Sequence, residues 1–220
     1  MANKTALVLG STGLVGSHCL RQLLESSFYE RVIALGRRST GITHPKLVEK
    51  LIDFERLSEF ENSFKGDDLF YCLGTTIAKA GSQEAFTRVD YEYPLEIAKL
   101  AFKGGVKKWL MITSVGASDR SPNFYLRTKG IAEKEISKVG FAETHFFRPS
   151  FLLGDRGEDR PLEKVIGPVF KVFAPLMIGP FYQYKPVEAS DVAAQMVNVA
   201  SMTASGMSIH FNPTRPKNNK

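Results

Sequence analysis

Seven residues near the start of the chain, Gly10-Ser11-Thr12-Gly13-Leu14-Val15-Gly16, restrict its fold more than any other stretch. They separate an apolar run from a segment in which Val15, Cys19, Leu20, Leu23 and Leu24 recur at helical spacing. A strand that enters a helix through such a turn is the opening unit of a parallel sheet covered by helices. Gly10 allows the sharp turn. Gly13 lets backbone N–H groups approach a bulky anion with no side chain between them, and Gly16 lets the helix pack closely on the strand.

The rest of the chain repeats the alternation. Short runs rich in Val, Ile and Phe predict strands at 4–10, 31–36, 47–52, 68–73, 107–113, 144–149 and 206–211. Helical periodicity predicts helices at 14–25, at 83–102 with Phe86, Val89, Ile97 and Leu100 inward, at 124–139 and at 188–201. The expected fold is a single α/β domain over residues 1–220: a doubly wound, Rossmann-type parallel sheet with a small C-terminal substrate or lid region at about 150–184. Pro213 to Lys220 reads as a frayed polar tail.

Composition narrows the class. With 220 residues, 43% of them hydrophobic, the chain can bury a full core without disulfides or a structural metal. Cys19 and Cys72 stand inside apolar periodic segments and read as small reduced hydrophobes. Met1 to Thr5 runs straight into the first strand, with no room for a signal or transit peptide, so a cytoplasmic chain is expected. The net charge of +6 arises from lysines and arginines scattered along the sequence, apart from small groups such as Lys103, Lys107 and Lys108. Scattered base serves solubility and argues against nucleic acid.

Val165 to Tyr184 is apolar almost throughout, yet Gly167, Pro168, Lys171, Pro175, Gly179 and Pro180 exclude a spanning helix. It reads equally as a helix and loop closing the core, or as a lid of Phe170, Phe173, Phe181 and Tyr182 over a pocket or against a second subunit. A peripheral membrane contact is a weaker third reading.

The glycine turn, leading into a helix N-terminus with unpaired N–H donors, suits the pyrophosphate of a dinucleotide. The end of the second strand decides which one. An acidic residue there would accept from ribose hydroxyls, but this chain has Gly36, Arg37 and Arg38. Two guanidinium groups can form forked bonds to a 2'-phosphate, which favours NADP (NADPH) over NAD. Asp53 and Phe54, ending the third strand, are placed to cover the adenine, and Leu73, Gly74, Thr75 and Thr76 to line the coenzyme ribose. Both stretches read equally well as ordinary loop chemistry.

Tyr125 and Lys129 are one turn apart on the helix that follows strand five, and Ser114 ends that strand at the ligand-binding edge of the sheet. An ammonium beside a phenol favours the phenolate, so Tyr125 is expected to donate a proton to a carbonyl oxygen as hydride arrives. Ser114 would hydrogen-bond the same oxygen, and Lys129 would also hold the ribose hydroxyls. The plain alternative is a core tyrosine, a surface lysine and a serine cap.

On these motifs, with Phe86-Thr87-Arg88-Val89-Asp90 and Phe147-Arg148-Pro149, the chain resembles the atypical short-chain dehydrogenases/reductases, and among them the 30-kDa Tat-interacting-protein group of NADPH-binding proteins. The resemblance spans nearly the whole chain. It implies NADPH in the glycine turn, a Ser114, Tyr125 and Lys129 centre, and Pro149 with Ser150 near the nicotinamide carboxamide. It departs at Asp90, where extended members commonly carry asparagine. A carboxylate donates no hydrogen bond unless protonated, which questions a relay or bracing role there.

The leading functional expectation is an NADPH-dependent oxidoreductase acting on a small or moderately apolar carbonyl compound, or on the corresponding alcohol. The alternatives are an NADPH-binding regulatory or redox-sensing module without turnover and, third, a nucleotide-sugar epimerase-like activity. The expected partner is a small-molecule substrate, with a homodimer or a protein partner also open. His18, His44, His145 and His210 are far apart, and no metal-binding motif occurs. Ser114 lacks the glycine of a hydrolase elbow. Asp155 to Arg160 reads most simply as a solvated loop; because it follows strand six, where loops border the substrate, one of its arginines could instead meet an anionic ligand.

Overall fold

The computed structural model describes residues 4–154 and 183–213. Its elements begin with β1 (Lys4–Leu9), α1 (Leu14–Glu25), β2 (Tyr29–Gly36) and β3 (Leu47–Leu51), followed by a 3-10 helix (Phe54–Ser63) and β4 (Asp68–Tyr71). Next come α2 (Ile77–Ala80), α3 (Gln83–Thr87), a π-helical turn (Arg88–Glu92) and α4 (Tyr93–Lys103). β5 (Lys108–Ile112), α5 (Phe124–Ile136), β6 (Glu143–Phe147), β7 (Leu152–Leu153), β8 (Val187–Glu188), α6 (Ala189–Ser201) and β9 (Gly206–His210) complete it.

Seven strands form one sheet in the order β3-β2-β1-β4-β5-β6-β9, with every pairing parallel. The order reverses between β1 and β4, the position at which such sheets open a crevice beyond their carboxyl ends. All seven predicted strands are present. β7 and β8 form an additional two-stranded parallel sheet that no sequence run announced.

Beyond their first residues the central strands β1, β4 and β5 are apolar because both of their faces are covered. Leu7, Leu9, Leu69, Tyr71, Trp109 and Met111 point into one core, which Ile97, Ala98 and Ala101 of α4 and Ala132 and Ile136 of α5 close. Their neighbours Ala6, Val8, Phe70, Leu110 and Ile112 point into the other, closed by Leu20 and Leu23 of α1 and Val192 and Met196 of α6. Burying each large apolar side chain here contributes about 1.5–3 kcal/mol.

The single helix expected over 83–102 is corrected to three pieces, and Pro94 explains the break. A proline lacks the N–H, and its ring would strike the carbonyl four residues back, which belongs to Asp90. The ladder widens instead, and the Tyr93 N–H bonds to the Arg88 carbonyl, five residues away. The extra residue shifts the phase of the helix. Asp90, not Val89, becomes fully buried.

Two further expectations change. Lys108 does not join Lys103 and Lys107 in a solvated group. It is buried, donates to the carbonyls of Ala200 (2.9 Å) and Met202 (2.6 Å) at the end of α6, and pairs with Glu143 at 2.9 Å. Nor are all four histidines apart: His145 Nδ1 lies 3.1 Å from His210 Nε2, although 65 positions separate the two in sequence. Cys19 is buried and Cys72 partly so; both are free. Burial, then the neighbouring Cys72, pushes the Cys19 thiol well up, as befits an inert core residue.

Most of Val165 to Tyr184, all of Asp155 to Arg160 and the tail beyond Pro213 lie outside the described residues. Among the described residues no helix is long and apolar enough to cross a membrane.

Candidate coenzyme and active site

The glycine turn sits at the carboxyl end of β1. Gly10 adopts φ +81°, and a Cβ there would stand 2.7 Å from the Cys72 carbonyl carbon and 2.9 Å from the Leu73 nitrogen. The turn therefore rests directly on the loop that follows β4. A Cβ on Gly16 would overlap the Gly10 carbonyl, whose carbon would be 2.6 Å away. The Gly13 N–H closes the turn on the Gly10 carbonyl at 2.8 Å, and no side chain caps the start of α1. Its first-turn N–H groups are thus free to face an anion. Ser11 and Val15 are buried beneath the turn, Thr12 is exposed, and Leu14 lies against Gly154 after β7.

Arg37 and Arg38 directly follow β2 and are exposed. Nearby, the Tyr93 hydroxyl donates to Glu55, and Arg88 pairs with the same carboxylate at 3.0 Å. Burial, then Glu55, pushes the Tyr93 hydroxyl up to about 12, against the pull of Arg88 and Arg37. Phe54 turns inward, 7% exposed, with its ring 5.5 Å from that of Tyr93. Asp53 caps the 3-10 helix, accepting from the Glu55 N–H at 3.0 Å and Arg56 Nε at 3.1 Å. Those bonds, the backbone one foremost, hold its carboxyl low.

The loop after β4 carries Leu73, Gly74, Thr75 and Thr76, and Thr76 caps α2. Asp90 Oδ2 accepts from the Thr75 N–H at 3.0 Å, and Asp90 Oδ1 meets Lys129 Nζ at 2.5 Å. A Cβ on Gly74 would lie 3.4 Å from that carboxylate and 3.5 Å from that ammonium. Lys129 also stands 5.7 Å from the centre of the Tyr125 ring, which leans on Phe86 at 5.2 Å. Burial drags the Lys129 pKa down, but Asp90, then Tyr125 and Glu133, outweigh it, and the net shift is upward. Lys129 is a buried, fully charged ammonium beside a half-buried tyrosine.

α5 holds this pair in place from both ends. Asn123 caps it, accepting from the Leu126 N–H at 3.1 Å, and Gly130 lets the Ser118 backbone approach so closely that a Cβ would stand 2.5 Å from its Cα. One turn beyond Lys129, Glu133 accepts from Thr113 Oγ1 at 2.6 Å and from Arg148, with Nε at 3.0 Å. Thr113 and Arg148 close strands β5 and β6, so this clamp ties the helix to the strand ends that carry Ser114 and Pro149. The Ser114 hydroxyl rests on the Val115 carbonyl at 3.3 Å, and the Val115 N–H donates to the Pro149 carbonyl at 3.0 Å. The Ser150 N–H is taken by Asn212 at 3.1 Å, and the Ser150 hydroxyl donates to the Lys185 carbonyl.

The structure thus brings the glycine turn, the Leu73–Thr76 loop, Lys129 and Tyr125 into one contiguous set, with Ser114 and Pro149 on the adjoining strand ends. Sequence reading undervalued Asp90 and missed Glu133. Pro94 was the available signal for Asp90, whereas Glu133 had none beyond its spacing from Lys129. The residues fit a dinucleotide, because the close packing at Gly10 and Gly16 shapes a tight turn that leads into a helix whose first N–H groups no side chain caps.

Comparison with known proteins agrees. Residues 6–132 match the NAD dependent epimerase/dehydratase family. Protein HTATIP2 of Rattus norvegicus is 38% identical over 167 residues, covering 74% of this chain and 69% of that protein. The FMP52 protein of Candida albicans is 32% identical over 209 residues, covering 92% and 90%. It is named a mitochondrial protein, as are the similar proteins of Scheffersomyces stipitis and Debaryomyces hansenii, which overturns the expectation of a cytoplasmic location. Among solved structures, MoeE5 in complex with UDP-glucuronic acid and NAD superposes with a TM-score of 0.72 at 18% identity, over 93% of this chain and 75% of MoeE5. UDP-glucose 4-epimerase of Thermotoga maritima gives 0.70 at 16%, over 94% and 76%. These two likenesses are of fold. By its matched residues and its HTATIP2 and FMP52 relatives, the chain belongs to the NAD dependent epimerase/dehydratase family.

Proposed function

We propose that the protein is an NADPH-dependent oxidoreductase that reduces a small or moderately apolar carbonyl compound, or oxidises the corresponding alcohol. One observation carries the reading: Gly10 packs on Leu73, the adjoining Gly74 packs on Lys129, and Lys129 stands beside Tyr125. That chain of contacts joins a phosphate turn to a proton donor without a gap. Bound NADPH would supply hydride at this edge of the sheet. Pyrophosphate suits the N–H groups of Leu14 to Gly16, Arg37 and Arg38 suit the 2'-phosphate, and Asp53 with Phe54 border the adenine. Lys129 holds the ribose hydroxyls over Leu73 to Thr76, and Pro149 with Ser150 border the carboxamide.

Tyr125 gives its phenolic proton to the substrate oxygen, and Ser114 donates a hydrogen bond to that oxygen as negative charge grows on it. In the alcohol direction Tyr125 takes the proton instead. The test is a pair of fluorescence titrations, NADPH against NADH, on the wild type and on Arg37→Ala/Arg38→Ala, followed by an aldehyde and ketone panel. NADPH should bind more tightly, and the double variant should lose that preference by about tenfold or more. Equal affinities in both proteins would defeat the phosphate assignment. Stoichiometric binding with no turnover across the panel would favour a regulatory or redox-sensing role instead.

A further inference from the structure

Asp90 is 1% exposed and occupies the π-helical turn that Pro94 forces open. Its two carboxylate oxygens meet two donors on different elements, Lys129 Nζ of α5 and the Thr75 N–H of the loop after β4. A carboxylate has acceptors on both sides and so faces the N–H with one oxygen and the ammonium with the other. An asparagine could not. With its oxygen on one donor, its amide group would face the other, and in this buried place two donors would confront each other.

We propose that Asp90 is a positioning residue for the nicotinamide-ribose half of the coenzyme, locking Lys129 and the Leu73–Thr76 loop into a single rigid cradle. The inference rests on the coenzyme reading above and deepens it. The ammonium is held by its ion pair with Asp90 and would offer its N–H groups to the ribose hydroxyls. Gly74, within contact of both charges, leaves the cradle open on the side where a ribose would lie. Removing the lock lets the loop and the ammonium move independently, and the ordering must then come out of coenzyme binding. The adenosine end would lie with Arg37, Arg38 and the glycine turn, whereas Asp90 makes its hydrogen bond to Thr75 and its ion pair to Lys129. The two halves of the coenzyme should therefore respond differently.

The experiment measures the affinity of wild type and Asp90→Asn for NADPH and for its phosphorylated adenosine half alone, 2'-phospho-AMP. The expected result is NADPH weakened about tenfold or more, with the adenosine half unchanged within about twofold. Unchanged NADPH affinity, or equal weakening of both ligands, would overturn the role of Asp90. If wild type bound neither ligand, the coenzyme reading would fall first and this inference with it. Should Asp90→Asn not fold, the neutral pair Asp90→Asn/Lys129→Gln replaces it, with Lys129→Gln as reference. There the second change should add no further loss of NADPH affinity, and an additional tenfold loss would show that Asp90 does not act through Lys129.

Discussion

Gly16→Ala sets two opposing effects against each other with a calculable outcome. In the first turn of a helix alanine is the better residue, and propensity alone would stabilise α1 by about 0.5–1 kcal/mol. The new methyl, however, would overlap the Gly10 carbonyl oxygen and stand 2.6 Å from its carbon, well inside ordinary contact, with Cys72 Cβ at 3.2 Å behind it. The obstacle is backbone, which cannot rotate away as a side chain could. Overpacking of this kind costs about 1–3 kcal/mol, so the net change should be a loss of about 1–2 kcal/mol. Relief can come only by moving α1 away from Gly10, and that movement opens the turn. NADPH affinity should then fall by more than about tenfold, the worth of one charge-assisted N–H bond to phosphate. Urea unfolding and a coenzyme titration measure the two losses. Gly41→Ala is the control: its φ is +70° with nothing within 4 Å, so it should cost about 1 kcal/mol of stability and nothing in affinity. A Gly16→Ala protein at least as stable as wild type, binding NADPH equally well, would refute the close-approach argument.

Two further expectations concern buried titratable groups. Glu133→Gln keeps an acceptor for Thr113 but removes the charge facing Arg148, which is 17% exposed, so stability should fall by about 2–4 kcal/mol. A double-mutant cycle with Arg148→Met checks this, and a coupling below about 0.5 kcal/mol would contradict it. Burial above all holds His145 and His210 below 6.5, so on acidification the unfolded chain takes up protons before the folded one does. Stability should therefore decline from pH of about 6.5 down to the folded values, by up to about 1.4 kcal/mol per pH unit for each histidine. A His145→Gln/His210→Gln variant should lose that part of the pH profile, and an unchanged slope would exclude the pair as its source.

What could be read in advance followed local rules. The inner strands were legible because the apolar runs 6–9, 32–35, 69–71 and 109–112 are buried on both faces, and α1 because Val15, Cys19, Leu20, Leu23 and Leu24 mark one stripe. The glycine turn was legible because a turn, a phosphate approach and a close packing contact each demand the same residue type at fixed spacing. The π-helical turn was not, because the apolar period through Val89 runs on smoothly while Pro94, five positions later, imposes a phase shift on it. A proline within a helical pattern thus carried the information that residue 90 would point inward. The 3-10 helix was missed for a different reason: it is pinned by the Asp53 cap and by Phe54, Leu57 and Phe60 reaching the core at every third residue, a period of three rather than the 3.6 of an α-helix.

The buried charges show why pattern reading ends where it does. Lys4, Asp68, Lys108 and Glu143 all stand at the starts of strands, and the Lys4–Asp68 and Lys108–Glu143 pairs seal the edge of the sheet away from the coenzyme. Lys129, Asp90, Glu133 and Arg148 gather at the opposite edge. Both sets are hidden for the same physical reason, since an ion taken out of water needs a partner, and that partner comes from another element. Their roles then diverge with what is left over. At the strand starts Lys108 gives its donors to Glu143 and to the open carbonyls of α6, which completes a helix end. At the strand ends Lys129 pairs with one carboxylate oxygen of Asp90 and lies 3.5 Å from where a Cβ on Gly74 would stand. A buried ammonium at the carboxyl edge of a parallel sheet, with no helix end to complete, is what the proposed coenzyme site asks of Lys129, and its loss should separate that role from the purely structural one of Lys108.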